Sequence, residues 1–348
     1  MKGSTPRDRN HAIQRGLAFM SRVANKKSLR IHGHDLIACF PLIASTSLNP
    51  LLRRTAREIG RDLALRWEAA CPELPRRARP EVVYRFVIVG WVKERFGLRN
   101  QLLKDCVRQA ARRFSAEDIL GFEPTREPPP HDLPDPCRCG QENPRGRRTC
   151  QKCRRRLTMA SQHRIWMQAL GVTFWASRYG VVLGAPYPDV LRWLPQMRPY
   201  RGAAKQSYSD FFDTVYAVTH VIYTLNGYGR YRLSPQWLPD ELSFLKANLN
   251  EAVRLGGPDM VGEFLDSLKA FGLGHDHPSI HLGTEYLLSV QNSDGSWGDP
   301  DSCDLFQLYH ATWAAIDGLR EYAWRGEKLT FPKLQPLLER WARKRRSV

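Results

Sequence analysis

The sequence predicts an all-α fold: an α/α toroid of alternating inner and outer helices, carrying a small four-cysteine insert. Three observations support this. Apolar residues recur almost everywhere at the three-to-four-residue spacing of a helix face, and strand-like alternation is scarce. Thirteen such segments follow one another, most joined by short Gly/Pro turns. In the C-terminal part, segments apolar over most of their surface (208–225, 259–271, 303–319) alternate with segments charged on one side (239–255, 331–344). Helices apolar all round belong inside and amphipathic ones outside.

The first helices fall at 11–23, 35–45, 50–70, 81–96 and 100–114. The stretch EPTREPPPHDLPDP (123–136) is too rich in proline to continue them. Helices resume at 163–179, 187–197, 208–225, 239–255, 259–271, 278–290, 303–322 and 331–344. This divides the chain into an N-terminal helical part (1–130), the cysteine insert (131–157) and a C-terminal helical part (158–348). A weak internal repeat lays RGLAFMSRVAN (15–25) over LGTEYLLSVQN (282–292), with Gly16 on Gly283 and Asn25 on Asn292.

At 348 residues, 42% hydrophobic and 25% charged, the chain is globular and long enough for a large core. No apolar run reaches the ~18 residues of a membrane span. The start, MKGSTPRDRN, lacks the apolar core of a signal peptide, so the expected compartment is the cytoplasm. Net charge is +18 and uneven: residues 1–200 hold 37 Lys+Arg against 17 Asp+Glu, and the rest 16 against 18. The densest basic run, Arg145–Arg156, suits nucleic acid or an acidic protein partner; the plainer alternative is solubility.

The insert reads C-R-C-G-(x9)-C-Q-K-C. Cys137, Cys139, Cys150 and Cys153 suit one tetrahedral Zn²⁺, and four thiolates close every position, so the zinc is structural. A disulfide scaffold does not fit a chain of this size without a secretory signal.

QNSDGSWG, Gln291 to Gly298, resembles the Gln-Trp repeat motif of the squalene–hopene cyclase family, whose α/α toroid is shared by protein prenyltransferase β subunits. In that family the Gln caps an outer-helix end and the Trp stacks on it. The resemblance covers about 200–345 and implies fold rather than reaction. SDFFDT resembles the family's D-x-D-D-T acid motif: Asp210 and Asp213 match, while Phe212 stands where the proton-donating Asp belongs. The alternative for both carboxylates is helix capping. LYHATWAAIDGL, with His310, is similar to the Tyr-His-Thr segment of prenyltransferase β subunits, whose His binds catalytic zinc. Asp301-x-Cys303 echoes that family's Asp-x-Cys pair, but in a different order along the chain.

His220 and His310 lie in helices expected to be inner, and His32, His34, His275 and His277 sit in His-x-His pairs beside Asp35 and Asp276. Imidazole is a common ligand of Zn, Fe and Cu, so a catalytic metal (Zn, Fe or Mg) on His220 and His310 with one or two of the others is expected. The competing reading is satisfied core histidines. Trp166, Phe174, Trp175, Tyr179, Phe211, Phe212, Tyr216, Tyr223, Tyr309 and Trp313 would line an apolar cavity, or simply pack the core. No P-loop, dinucleotide-binding glycine fingerprint, nucleophile elbow or HExxH occurs.

The expected function is a metal-dependent enzyme acting on an apolar, isoprenoid-like or natural-product molecule, cyclase- or transferase-like. Asp210 and Asp213 would serve as acid/base or ligand residues at the chamber mouth. Oxidoreductase or lyase chemistry on the same scaffold is the alternative. The rival class is a non-catalytic zinc-ribbon protein binding nucleic acid or an acidic partner.

Overall fold

The computed structural model describes residues 5–71 and 73–346. Among the described residues it is all-helical, with 62% helix and no strand. The N-terminal half contains α1 (Pro6–Val23), α2 (Lys26–Thr46), α3 (Pro50–Ala70), α4 (Pro80–Arg95), α5 (Gln101–Ala111) and α6 (Ala116–Leu120). Beyond the cysteine insert come α7 (Gln162–Tyr179), α8 (Tyr187–Leu191), α9 (Leu194–Met197), α10 (Tyr208–Asn226) and α11 (Pro239–Leu255). Last are α12 (Pro258–Ala270), α13 (Pro278–Ser289), α14 (Leu305–Leu319) and α15 (Gln335–Arg346). None is long and apolar enough to cross a membrane.

Caps set most of these boundaries. Thr5 and Asp8 form a capping box at α1, and the Asn25, Asn49, Ser161 and Ser207 side chains accept the first free N–H groups of α2, α3, α7 and α10. Pro at the first turn opens α11, α12 and α13. Gly180, Gly227 and Gly256 end their helices in the left-handed conformation.

Caps also explain where the structure departs from the sequence expectation. The Asn25 cap starts α2 at Lys26, nine residues before the expected 35. His32 and His34 are therefore helical rather than part of a loop. The expected helix at 187–197 is two short helices, α8 and α9, and a capped turn, α6, precedes the proline-rich break.

Helix α2 packs against α4, α4 against α7, α7 against α10, α10 against α12, α12 against α14, and α14 against α2. Helices α1, α3, α11 and α13 pack onto members of this series: α1 on α14, α3 on α2, α11 and α13 on α12. The contact between α12 and α14 is the closest. A Cβ on Gly262 would lie 2.3 Å from the Ala314 carbonyl oxygen, and one on Gly318 would lie 2.9 Å from the Gly262 Cα.

The motif at 291–298 joins the two ends of the chain. Trp297 is fully buried; its indole N–H donates to the Leu287 carbonyl in the last turn of α13 (2.7 Å). Its backbone N–H donates to Thr312 Oγ1 of α14 (3.0 Å). Gln291 Nε2 donates to the Ala12 carbonyl of α1 (2.9 Å), and Arg15 of α1 donates back to Gln291 Oε1 (3.2 Å). Here the Trp caps the end of α13, while the Gln side chain reaches the middle of α1 instead of capping a helix end. Gly16 makes room for this, since a Cβ there would sit 2.9 Å from the Trp297 ring.

Candidate functional site

A cavity of about 460 Å³ lies among α2, α4, α7, α10, α12 and α14, with Ile119 of α6 at its edge. Its walls are largely aromatic: Tyr84, Trp175, Tyr216, Tyr223, Tyr228, Phe306 and Trp313. Its polar groups besides the tyrosines are Asp35, Gln168, His220, Glu263, His310 and Asp317. Such a hollow, apolar with a small set of convergent polar groups, has the character of a small-molecule site.

Helix periodicity explains the lining. Tyr216, His220 and Tyr223 lie on one face of α10 at helical spacing, and His310, Trp313, Ala314 and Asp317 do the same on α14. Glu263 follows Gly262, the point where α12 touches α14, so the glycine contact seats its carboxyl against the neighbouring helices.

Two imidazoles flank that carboxyl. His220 Nδ1 lies 3.8 Å from Glu263 Oε2, and His310 Nε2 lies 3.9 Å from Glu263 Oε1. Thr219 Oγ1 donates to Glu263 Oε2. Tyr216 stacks on both imidazoles, with ring centroids 5.6 and 5.9 Å apart, and its hydroxyl donates to Asp259 Oδ2 (2.7 Å).

The environment sets the protonation states. Glu263 is 4% exposed. Burial, reinforced by the carboxylates of Asp259, Asp266 and Asp317, raises its pKa well above the carboxylate range despite the Thr219 hydrogen bond. Burial, and then the charge of His310, brings His220 down to about 3. Burial also lowers His310. Burial thus favours the protonated form of the Glu263 carboxyl and the neutral form of both imidazoles beside it.

The remaining expected site residues lie elsewhere. Asp210 is exposed at the start of α10, where its Oδ2 accepts from the capping Ser207 hydroxyl (2.7 Å). Asp213 is buried near Ser161 and Arg164 at the start of α7, and burial raises its pKa. It is seven residues, about 10 Å along the helix axis, from His220. Neither aspartate lines the cavity; the carboxyls that do are Asp35, Glu263 and Asp317. Phe212, at the motif's donor position, packs at a tilt against Tyr216, with ring centroids 4.4 Å apart. Of the expected aromatic lining, Trp166, Phe174, Tyr179, Phe211 and Tyr309 are buried core instead.

The histidines do not converge as a set. His32 packs edge-on against Tyr309 (5.7 Å) and His34 lies 3.4 Å from Asp35. His275 lies 3.3 Å from Glu321, and His277 caps α13. Among the described residues, the four cysteines are the only three or more His, Cys, Asp or Glu grouped closely enough to hold one ion. Their sulfurs all lie within 4.8 Å, with Cys137–Cys153 at 3.4 Å and Cys139–Cys150 at 3.7 Å. Tight turns position them: Gly140 N–H donates to the Cys137 carbonyl, and Arg154 N–H to that of Cys150. The insert is held by isolated bridges, Pro134 with Met159 and Thr149 with Arg156, rather than by strands. Of the basic run, Arg145 is engaged by Glu127 and Asp132 (2.7 and 2.6 Å); Arg147, Arg148, Lys152, Arg154, Arg155 and Arg156 are exposed.

Residues 97–305 match the family described as Domain of unknown function (DUF6895), so the chain belongs to that family. The match takes in the four cysteines, His220, Glu263 and the 291–298 motif, and ends before His310. No curated protein and no solved structure matches the chain.

Proposed function

We propose that this member of the DUF6895 family is an enzyme that admits a mostly apolar, unsaturated small molecule, isoprenoid-like in character, and isomerises or cyclises it by proton transfer. One observation carries the reading: the buried Glu263 carboxyl lies 3.8 Å from His220 and 3.9 Å from His310 in a cavity walled by aromatic rings, and we take it to be protonated there. Glu263 gives its proton to a substrate double bond. The resulting cation is stabilised by the faces of Tyr216, Tyr223, Phe306 and Trp313. An imidazole takes a proton from an adjacent carbon and returns it to Glu263. The substrate is rearranged with no net gain or loss of protons, and no co-reactant is consumed.

The architecture goes with this reading. We take α2, α4, α7, α10, α12 and α14 as the inner ring of an α/α toroid similar to those of squalene–hopene cyclases and prenyltransferase β subunits, with α1, α3, α11 and α13 outside. What supports it is the series of packed pairs that returns to α2, and the 291–298 motif that fastens α13 and α14 to α1. In the insert we propose a structural Zn²⁺. Tetrahedral bonds of about 2.3 Å put zinc-bound sulfurs about 3.8 Å apart, close to the separations here.

A second reading is the metal on His220 and His310 acting as a Lewis acid, though among the described residues no third ligand is grouped with them closely enough to hold one ion. More than one ion per chain, falling to one in a His220→Ala/His310→Ala variant, would favour it. A third draws on the exposed basic residues of the insert, which would bind nucleic acid or an acidic protein with steep salt dependence.

The experiment for the main reading is incubation with a panel of unsaturated lipophilic compounds in deuterium oxide, followed by mass spectrometry. The wild type is expected to place solvent deuterium on carbon in at least one product, with Glu263→Gln at least 100-fold slower. Equal incorporation by Glu263→Gln would overturn the reading.

A further inference from the structure

A second hollow, of about 120 Å³, lies at the C-terminal ends of the helices that wall the cavity. Leu42, Ser45 and Thr46 come from the end of α2, Trp91 and Arg95 from the end of α4, and Trp175 and Arg178 from the last turns of α7. Arg230 follows α10, and Arg325 follows α14. Four arginines therefore line one small space.

Arg95 and Arg325 are exposed and Arg178 and Arg230 half-buried, with the Arg95 guanidinium over the Trp91 ring and that of Arg230 over the Tyr231 ring. Among the described residues, none of the four forms an ion pair or donates a side-chain hydrogen bond; Glu94, the residue before Arg95, is taken by Lys104 at 2.8 Å. Arginines near helix C-termini commonly bond the free carbonyls there, but these donate to none. Two further donors are orphaned: Arg230 Nε and the Trp91 indole N–H are both buried with no acceptor, and Trp91 is only 4% exposed. Burial, and then mutual repulsion with Arg230, holds Arg95 below the usual guanidinium range; burial followed by Arg95 and Arg230 does the same to Arg178. A pocket with this many donors and cations lacks only an acceptor bearing more than one negative charge.

We propose that this pocket binds a phosphate-type oxyanion, either free or as the headgroup of a larger molecule, through Arg95, Arg178, Arg230, Arg325 and the Trp91 indole. Trp175 lines both this pocket and the central cavity, so one indole separates the anion from the apolar hollow. The proposal does not depend on the chemistry assigned to Glu263.

Calorimetric titration at low ionic strength with inorganic phosphate and inorganic diphosphate tests it. The wild type is expected to bind diphosphate at a single saturable site. Arg178→Gln/Arg230→Gln weakens binding at least tenfold, Trp91→Phe weakens it several-fold, and Glu263→Gln leaves it unchanged. Far-ultraviolet circular dichroism verifies that each variant is folded; an unfolded double variant is replaced by the exposed-site variant Arg95→Gln/Arg325→Gln, with the same expectation. Octyl phosphate distinguishes the source: binding ten times tighter than inorganic phosphate identifies a headgroup, and equal binding a free anion. Absence of saturable binding by the wild type would overturn the proposal. So would unchanged binding in a folded double variant, or binding abolished instead by Arg154→Gln/Arg155→Gln/Arg156→Gln in the insert.

Discussion

The four-cysteine insert and the central cavity are built on opposite principles. In the insert, four ligand atoms come from 17 consecutive residues, and two tight turns suffice to gather them. In the cavity, Asp35, His220, Glu263, His310 and Asp317 come from four helices spread over more than 280 residues, and only tertiary packing brings them together. The insert brings four thiols close enough for one ion, and with the proposed zinc it would act as a staple. The cavity gathers a buried carboxyl and two imidazoles with shifted titration, the kind of grouping from which the proposed function is argued.

The largest expected effect follows from that contrast. Cys150→Ser opens the closed cysteine set, and apparent binding energies of about 10–16 kcal/mol for structural zinc show how much such a set contributes. Elemental analysis is expected to find one zinc per wild-type chain and none in Cys150→Ser, with protease cutting between Cys137 and Arg156 while the helical signal persists. Zinc retained in full would erase the distinction between the two regions.

That distinction also decides how much the sequence could reveal. The insert was legible because its chemistry is local: cysteine spacing alone fixes ligand number and geometry. His220 and His310 were legible as exceptions, imidazoles inside apolar helices. Glu263 lies in the equally apolar VGEFL and carried the same signal, but its role depends on Gly262 meeting α14, which helical periodicity does not specify. Asp210 and Asp213 misled because a carboxylate at a helix start satisfies a motif and a cap equally well; the structure gives Asp210 to the cap. The His-x-His pairs misled because adjacency in sequence gave no convergence in space.

Stability against pH sharpens the comparison next. A folded His220 titrating at about 3 binds a proton less readily than the unfolded chain at 6.5. Stability is therefore lost as pH falls below 6.5 towards 3, by on the order of a few kcal/mol, and His220→Asn flattens that limb. Glu263 acts in the opposite sense. Its raised pKa means that the folded state holds a proton the unfolded state releases, so stability declines as pH rises above 4.5, and Glu263→Gln removes the decline. Urea unfolding from about pH 4 to about pH 8 reads both limbs. Identical curves for wild type and both variants would contradict the burial argument.

The smallest effect belongs to the aspartates at the start of α10. Asp210→Asn is expected to cost under about 1 kcal/mol in urea unfolding, the scale of a helix-dipole and cap contribution, and to leave deuterium incorporation unchanged. A large loss of incorporation would return the acid role to α10.

The account stands most directly on the protonation state of one carboxyl. Infrared difference spectroscopy of wild type minus Glu263→Gln at neutral pH is expected to show the C=O stretch of a neutral carboxylic acid. The antisymmetric stretch of a carboxylate in its place would contradict the acid between two imidazoles.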